Sequence, residues 1–471
     1  MKHARLFIVI ATAIVLSGCA ATVVNENFDA VRQQAQTQAG VAPRWLLNEA
    51  ARAESAAEVD RLLGAPLQVD DAVRIALTYS PALQAMLADA ASASANATQA
   101  ARLPNPVFTF ERLIRREDGQ TDKDIGRMLG ISLLDLLLLP ARREMAGFQQ
   151  SQLRLKSAGD VLQAATDARQ AWVRALAAQQ SAMYFEQVKQ AADASAELAR
   201  RMRAAGNFSK LQQAREQLFY AEATAQLAKA RQAQLATREA LIRQLGLTAA
   251  QAARLTLPGR LPELPTQARA PEDVTRTALD SRLDVQIARE ELNYLAKAQG
   301  VSRITGVVDG VHLAGVRNSE TGKPPQKGFE IEFPIALFDF GDARRSATQA
   351  TYMAAANRTA QIAVDAASQV RETYGAYRTA YDLARHYAQE VVPLRKAISD
   401  EMLLKYNGML TGVFDLLADA REQIASVAQL IEAQRDFWLA DAALQSTLLG
   451  KPAAPTMLEG KATTRNEAKG H

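Results

Sequence analysis

The side chains that most often perform catalysis or bind metals are scarce in this sequence. Its 471 residues include one cysteine, Cys19, and four histidines, His3, His312, His386 and His471. We see no carboxylate or thiol that would join His312 or His386 as a metal ligand. We also find no phosphate-binding glycine loop, nucleophile elbow or catalytic triad. The sequence therefore predicts neither an enzyme nor a bound metal or cofactor.

The most informative carboxylates are Glu330 and Glu332, which alternate with Phe329, Ile331 and Phe333. A period of two is typical of a strand with one apolar and one polar face. If this strand lies in a membrane, both glutamates should face a water-filled lumen, because a charge that faces lipid is costly. The alternative is the solvated sheet face of a soluble protein.

The N-terminus carries a basic start, an apolar run at Leu6–Leu16 and the sequence Leu16-Ser17-Gly18-Cys19. The general interpretation is a secretory signal peptide over residues 1–18. The stretch also resembles the signal of bacterial lipoproteins, in which Cys19 would become the acylated first residue and carry palmitate. In that family Ala20, in place of an aspartate, implies the outer membrane. The alternative is an ordinary signal peptide with an unmodified cysteine.

Composition excludes some classes of function. Charged residues make up 23% of the chain, the net charge is +4 and aromatic residues are 6%. No basic stripe interleaved with aromatic residues is present, so we do not expect nucleic-acid binding. Abundant alanine with few aromatic residues favours helix–helix packing over a thick globular core.

The first half of the chain reads as an ordered series of elements. After an N-terminal extension at 19–67, with a short helix near Leu46–Leu63, we expect a first structural repeat at 68–246. Its predicted elements are a helix from Asp71 to Leu103, a β-hairpin at 107–133, a long helix at 141–205 and a helix at 210–245. The apolar run Ile131–Leu139 could instead be a buried helical segment. A proline-rich linker at 247–271 follows.

The same order recurs in the second half. Ala141-Arg142-Arg143 recurs as Ala343-Arg344-Arg345, and the break at Gly206 recurs at Gly408, each 202 positions later. We therefore expect a second repeat at 272–450 and a disordered tail at 451–471. The predicted elements of this repeat are a helix ending at Arg303, a hairpin at 305–335, a long helix at 342–404 that Pro393 should kink, and a helix at 410–449.

Helix lengths constrain the architecture. A helix of about 63 residues is roughly 95 Å long, and the two shorter helices of each half would match it when placed end to end. Four strands from one chain cannot close a barrel, and unpaired strand edges in lipid are prohibitively costly. Membrane-embedded hairpins would therefore require several copies of the chain.

The duplicated order of motifs resembles the TolC family, the trimeric outer-membrane channels of bacterial efflux and secretion systems. The resemblance covers about residues 68–450. It is carried by Ala76-Leu77 with Pro81, Leu103-Pro104-Asn105-Pro106, Phe338-Asp339-Phe340-Gly341 with Arg344-Arg345, Tyr406-Asn407-Gly408 with Asp415-Leu416-Leu417, and Leu449-Gly450. The lipoprotein start and the run Tyr406–Asp419 look most similar to the outer components of resistance-nodulation-division pumps.

The resemblance implies a mainly α fold with a membrane β part. Each chain would form a duplicated long-helix α-barrel segment, and its two hairpins would contribute four strands to a trimeric 12-stranded β-barrel. The implied partners are two further copies of the chain, a periplasmic adaptor protein, an inner-membrane pump and outer-membrane lipid.

The resemblance also implies roles for two helical tips. Adaptor contacts would fall on Gly206, Asn207, Gly408 and Thr411. A periplasmic gate would involve Tyr406, Asp415 and Asp419. Three symmetry-related Asp415 carboxylates would repel one another and prefer cations or water between them. The alternative is that Asp415 and Asp419 belong to a solvated helix face. Thr411 stands where some members carry arginine, so a charge-pair lock is not expected.

The functional hypothesis is a passive trimeric export duct for drugs or metal ions, which crosses the periplasm and outer membrane as part of a tripartite efflux system. One alternative is a non-conducting, structural coiled-coil lipoprotein of the envelope. Another is a type I secretion duct of the same family. The first alternative accounts for Cys19 but leaves the two alternating hairpins unexplained.

Overall fold

The computed structural model describes residues 19–117, 120–271, 282–305, 310–335 and 337–451. In chain order the described elements are α1 (Cys19–Ala39), α2 (Glu49–Leu62), α3 (Val69–Thr78), α4 (Pro81–Ala100), β1 (Val107–Glu117), β2 (Gln120–Ser132), α5 (Leu133–Ala204), α6 (Lys210–Leu245), α7 (Ala249–Arg254), α8 (Leu283–Thr305), β3 (His312–Glu320), β4 (Gln326–Glu332), α9 (Asp342–His386), a π-helical turn (Tyr387–Val391), α10 (Val392–Asn407) and α11 (Val413–Leu448). None of the helices in these ranges combines the length and hydropathy needed to cross a bilayer.

Several predictions of the sequence analysis fall outside these residues. They are the signal peptide at 1–18, residues 118–119 of the first hairpin, residues 306–309 of the second, the start of the second repeat at 272–281 and nearly all of the tail at 451–471.

The chain divides into two compact units. The first takes in the described residues within 1–34, 87–158 and 283–365, and the second those within 35–86, 159–282 and 366–471. All four strands belong to the first unit. Both helix-to-helix turns near positions 206 and 408, and the proline-rich segment, belong to the second.

The strands of the first unit form one antiparallel sheet in the order β1-β2-β3-β4. Each predicted hairpin is present, and the two hairpins are joined because β2 pairs with β3, with Gly130 opposite Ala314. Polar contacts hold helices of this unit together. Asn27 of α1 donates to Ser94 Oγ of α4 at 2.9 Å, and Gln150 of α5 donates to the Ser94 carbonyl at 2.7 Å.

The long first-repeat helix begins earlier than predicted, at Leu133 instead of 141. The run Ile131–Leu139 is therefore mostly helical, which was the alternative interpretation. The cause is local: Ser132 Oγ accepts a hydrogen bond from the Asp135 N–H at 3.2 Å, as an N-cap does. Leu134 and Leu138, one turn apart, are both buried.

Two other predicted helices are interrupted at prolines. The helix predicted from Asp71 to Leu103 is two helices, because Pro81 begins α4 at the position where a missing N–H costs least. The helix predicted at 342–404 is interrupted by the π-helical turn, in which the Val392 N–H bonds the Tyr387 carbonyl. Pro393 explains this turn, since its ring would clash with a carbonyl of a regular helix.

The strand and loop bounds also differ from the predictions. β3 begins at His312, whereas Thr305, the predicted start, is the last residue of α8. The N-terminal extension contains α1 as well as the one expected helix, and the linker contains α7. The helix at Lys210–Leu245 has the predicted bounds.

The proline-rich segment is packed in place within the second unit. Tyr381 Oη donates to the carbonyls of Pro265 and Thr266 at 3.1 Å, and Trp438 Nε1 donates to that of Pro262 at 3.2 Å. These aromatic side chains adjoin a buried cluster formed by Val370, Tyr377, Ala380, Tyr381, Ala384, Phe437, Ala440 and Leu444.

Gly246 ends α6 in the second unit with a left-handed φ of 70°. A Cβ placed there would lie 2.3 Å from Pro81 Cδ at the start of α4. Only glycine satisfies both the backbone angle and the close approach.

Candidate functional site

One face of the four-stranded sheet is apolar and exposed at its helix end. The register places Phe108, Leu129, Gly315 and Phe329 in one row across the four strands. Side chains of directly paired residues share a face, and successive residues alternate between faces. We call the face that contains this row the aromatic face, and its large apolar members are Phe108, Phe110, Ile114, Ile125, Leu129, Ile131, Leu313, Phe329 and Ile331. Phe108 is 62% exposed and Phe329 is 76% exposed.

The opposite face carries carboxylates, and we call it the acidic face. Its described acidic members are Glu111, Asp122, Asp124, Glu320, Glu330 and Glu332. Glu330 pairs with Ala314 and Glu332 pairs with His312 across β3 and β4. The sheet therefore separates the two predicted carboxylates from Phe329 and Ile331, as the alternation indicated. That these carboxylates line a lumen stays a prediction.

The sheet has two open edges among the residues that the structure describes. β1 pairs only with β2, and β4 pairs only with β3. An edge strand presents a row of unpaired N–H and C=O groups, which can template pairing with another chain. In water, this sheet leaves apolar side chains exposed on one face and backbone N–H and C=O groups unpaired within the sheet along two edges.

The turn after α5 is a tight glycine turn. Gly206 has a φ of 79°. The Asn207 N–H bonds the Met202 carbonyl at 2.8 Å, and the Gly206 N–H bonds the Arg203 carbonyl at 3.0 Å. This pair of hydrogen bonds is the Schellman motif, which uses a left-handed residue to end a helix. Gly206 and Asn207 are both exposed.

The second turn has the same hydrogen bonds but a different residue at its centre. The Leu410 N–H bonds the Lys405 carbonyl at 2.8 Å, and the Met409 N–H bonds the Tyr406 carbonyl at 3.0 Å. Met409 has a φ of 56°, whereas Gly408 has a φ of −80°. The left-handed residue equivalent to Gly206 is therefore Met409 and not Gly408, one position beyond the predicted break.

The two turns meet through aromatic rings. Phe208 follows the first turn, Phe414 lies in the first turn of α11, and their ring centroids are 4.5 Å apart. Phe208 is buried, whereas Met409 is 94% exposed and Leu410 is 80% exposed. The structure thus brings both predicted adaptor-contacting tips into one patch with apolar side chains at its surface.

Asp415, a predicted gate residue, caps its own helix. Its Oδ2 accepts a hydrogen bond from Thr411 Oγ1 at 2.9 Å and one from the Gly412 N–H at 3.3 Å. A carboxylate in the first turn of a helix also interacts favourably with the helix dipole. Asp415 and Tyr406 are exposed, so both stay accessible from solvent.

Asp419 lies in a different environment, which excludes a solvated helix face at this residue. It is buried, and its Oδ2 has no hydrogen-bond partner within the described ranges. Two residues later, Arg421 donates from Nη2 to Glu216 Oε1 at 2.7 Å. The predicted gate carboxylates are therefore not equivalent.

Glu216 is the centre of a buried polar cluster that the sequence analysis missed. Its side chain is 2% exposed, and its Oε2 accepts a hydrogen bond from Ser195 Oγ at 2.7 Å. The Arg421 guanidinium lies over the Phe219 ring, 4.6 Å from its centroid. The cluster joins α5, α6 and α11. No local sequence signal marks it, since its members are distant in the chain.

A tyrosine near this cluster is held neutral by its surroundings. Tyr184 Oη donates to the Ile424 carbonyl at 3.2 Å, and the ring packs in a cluster with Val188 and Ala223. Burial raises the pKa of the Tyr184 hydroxyl to about 12, because the charged phenolate is poorly solvated there.

The remaining predicted positions are less informative. Cys19 is the first residue of α1, and its lipidation stays a prediction. His386 does have a carboxylate nearby, contrary to the sequence analysis: its Nδ1 lies 3.1 Å from Glu390 Oε2 one turn later. In the described part of the chain, no group of three or more histidine, cysteine, aspartate or glutamate side chains could hold a metal ion.

The fold is similar to that of solved outer-membrane channels. No protein-family model and no curated sequence matches the chain. Crystal structures of CusC, a protein that forms a transmembrane channel, match with a TM-score of 0.68 and 14% identity over 81% of this chain and 92% of that chain. The Campylobacter jejuni CmeC outer-membrane channel matches with a TM-score of 0.68 and 13% identity over 81% and 86%. The Vibrio cholerae outer-membrane protein VceC matches with a TM-score of 0.64 and 15% identity over 85% of this chain and 97% of that chain.

At these identities the comparisons establish the fold. The chain has the fold of TolC-like outer-membrane channels, with long helices and a small sheet, which confirms the predicted mainly α fold with a β part. The trimeric 12-stranded barrel stays a prediction.

Proposed function

We propose that this protein is the outer-membrane channel of a tripartite efflux system, a homotrimer that forms a passive export duct for drugs or metal ions. The observation that carries the proposal is the four-stranded antiparallel sheet with one exposed aromatic face and two open edges. Membrane lipid and further copies of the chain supply what these features lack.

Lipid is a suitable environment for the aromatic face. Burying a large apolar side chain contributes about 1.5–3 kcal/mol, so an exposed row of such side chains strongly favours an apolar solvent. β1 has 11 residues and β2 has 13, and a tilted transmembrane strand needs about 9–11.

Closure of the sheet explains why several copies are needed. An open edge in lipid leaves backbone N–H and C=O groups without partners, and each costs several kcal/mol. Pairing β4 of one copy with β1 of the next would satisfy both edges. Three copies would give the twelve strands of the trimeric barrel.

The acidic face would then line the water-filled interior. Glu330 and Glu332 would contribute one carboxylate ring each from the three copies, and such rings favour cations. Tyr406, Asp415 and Asp419 would belong to the periplasmic gate. The tips at Gly206, Asn207, Gly408 and Thr411 would contact a periplasmic adaptor, which in turn meets an inner-membrane pump. Acylation at Cys19 would add a lipid anchor.

A planar-bilayer conductance measurement on the purified full-length protein tests this proposal. The wild-type protein should run as a heat-modifiable trimer and open channels. A stable trimer without conductance would refute the duct and favour a structural envelope lipoprotein.

A matched pair of variants tests the assignment of the two faces. Ile331→Arg and Glu332→Arg place the same charge at neighbouring positions on opposite faces. Ile331→Arg should reduce trimer assembly in membranes, since a lipid-facing arginine on a barrel strand is destabilising by an amount that depends on its depth, up to about 2–4 kcal/mol at the bilayer midplane. Glu332→Arg should assemble normally and shift ion selectivity towards anions. Equal effects of the two substitutions would contradict the face assignment.

A further inference from the structure

Charges are sorted between the two faces of the sheet. The aromatic face carries cationic side chains and, among the described strand residues, no carboxylate. Its cations are Arg112, Arg116, Lys123, Arg127, Arg317 and Lys327. The acidic face has the reverse bias, with six described carboxylates and Arg115 as its one arginine or lysine within the described strands.

Three of these cations stand side by side. The register pairs Arg127 directly with Arg317, and Arg317 directly with Lys327, across β2, β3 and β4. We call these three residues the basic row. Directly opposite residues in an antiparallel sheet are only about 4.5–5.5 Å apart at Cα, and like charges in that position are destabilising.

Nothing in the described chain neutralises the basic row. All three residues are exposed, and their side chains form no hydrogen bond or ion pair with any residue that the structure describes. An arrangement that is unfavourable by itself becomes favourable when an anion lies against it. Arginine in particular offers paired N–H donors that match phosphate oxygens.

The position of the basic row indicates the kind of anion. On the same face, the next row towards the helices is the apolar one that contains Leu129 and Phe329. The row therefore marks the boundary between the part of this face that carries only apolar side chains and the turn end, where Ile114 and Ile125 are interspersed with Arg112, Arg116 and Lys123. In a membrane, that boundary is where headgroups meet acyl chains, and long cationic side chains extend towards it.

We propose that Arg127, Arg317 and Lys327 form a binding site for the phosphate groups of membrane lipid headgroups, in the leaflet on the side of the hairpin turns. This inference rests on the proposed function, because it requires the aromatic face to contact lipid. A lipid with phosphate groups satisfies both parts of the face, since its phosphate meets the basic row and its acyl chains cover the neighbouring apolar row. Free phosphate would satisfy only the first.

Native mass spectrometry of the full-length protein in detergent tests the site. The probes are lipid A with two phosphates, the same lipid with one phosphate, and inorganic phosphate. Each basic residue near a membrane surface changes affinity about fivefold. The wild-type protein should retain the two-phosphate lipid more strongly than the one-phosphate lipid. The triple variant Arg127→Gln/Arg317→Gln/Lys327→Gln should lose at least about tenfold of this binding.

Arg115→Gln is the matched control, because Arg115 lies on the acidic face of the same sheet. It should retain the lipid as the wild type does. If the triple variant does not assemble, the single variant Arg317→Gln should show a loss of about fivefold. Equal retention by the variants and the control would overturn the site. Displacement of the lipid by inorganic phosphate alone would also overturn it, because the site would then bind a free anion.

The outcomes separate this inference from the proposed function. A wild-type protein that opens channels but does not distinguish the lipids refutes only the headgroup site. A protein that binds the lipids through the basic row without conducting refutes the duct and leaves the headgroup site in place. Variants that lose lipid binding should still form channels, because the basic row lies on the face away from the lumen.

Discussion

The rings of Phe208 and Phe414 stack with their centroids 4.5 Å apart and their planes at 36°. Phe208 follows the turn at the end of α5, and Phe414 is the second residue of α11, after the turn at the end of α10. The contact is the aromatic link between two turns that occupy equivalent places in the duplicated chain. It makes the two tips one structural element.

We predict that the two rings are energetically coupled. In a double-mutant cycle of Phe208→Ala and Phe414→Ala, the coupling should be about 0.5–1.5 kcal/mol, the contribution of an aromatic pair beyond its buried area. Hydrogen exchange of the turn amides in the full-length protein measures it. Leu211→Ala removes an exposed side chain from the same turn and should show no coupling to Phe414. Strictly additive effects of the two phenylalanine substitutions would contradict the link.

Met409 gives a second prediction at the tips. A left-handed conformation costs a non-glycine residue about 1–2 kcal/mol, and Met409 adopts it with its side chain almost fully exposed. Met409→Gly should therefore stabilise the turn by about 1 kcal/mol, and Gly206→Ala should destabilise the other turn by a similar amount. Exchange rates of the Leu410 and Asn207 amides report the two effects. Gly408→Ala serves as the control: the φ of Gly408 is ordinary, so alanine should not destabilise the turn, and a loss of stability like that expected for Gly206→Ala would contradict the assignment.

These tips show what sequence patterns can and cannot predict. The break in the helical pattern and its repetition predicted two turns correctly to within a residue. The pattern placed the second at Gly408, because glycine is the usual left-handed residue. The structure places it at Met409, since the hydrogen bonds from Leu410 and Met409 set the geometry. The residue type alone does not determine which position adopts the left-handed conformation.

The strands and helices also divide into features that the sequence pattern predicts and features that it does not. The period-two alternation around Phe329 predicted β4 and its two faces, because alternation is a property of neighbouring residues. The start of α5 was placed too late, because an apolar run such as Ile131–Leu139 fits both a buried strand and a buried helix. The cap at Ser132, which is a local feature, and the burial of Leu138, which depends on tertiary contacts, decide between them, and the apolar run alone contains neither.

The buried cluster at Glu216 could not be predicted, because its members come from three helices. We predict that Glu216→Gln destabilises the packing of these helices by about 2 kcal/mol. Breaking a fully buried ion pair typically costs about 3–5 kcal/mol, and the cost here should be smaller because Arg421 is 33% exposed. The local opening equilibrium should rise about thirtyfold. The rate of limited proteolysis in α6 measures this opening.

Glu222→Gln is the matched control for that measurement. Glu222 lies on the same helix, six positions after Glu216, and is exposed. Its substitution should change stability by no more than about 0.5 kcal/mol. If both glutamine variants resist proteolysis equally, the Glu216–Arg421 pair does not hold the three helices together.

Tyr184 makes the stability of the second unit depend on alkaline pH. An ordinary tyrosine ionises near pH 10, and burial raises the pKa of Tyr184 to about 12 in the folded protein. Between these values the unfolded chain releases a proton that the folded protein retains, so folding becomes less favourable as pH rises through this window. Below about pH 10 Tyr184 is protonated in both the folded and the unfolded state, so it contributes no pH dependence to the stability there. Tyr184→Phe should therefore flatten the fall in stability between about pH 10 and about pH 12.

The same substitution should also cost about 1 kcal/mol at neutral pH, because the hydrogen bond to the Ile424 carbonyl is lost. Proteolysis rates at several pH values, together with the ultraviolet absorbance of phenolate, measure both effects. Met183→Leu changes an exposed neighbour and should leave the alkaline dependence intact. If Tyr184→Phe and wild type lose stability in parallel above pH 10, another group controls the alkaline transition.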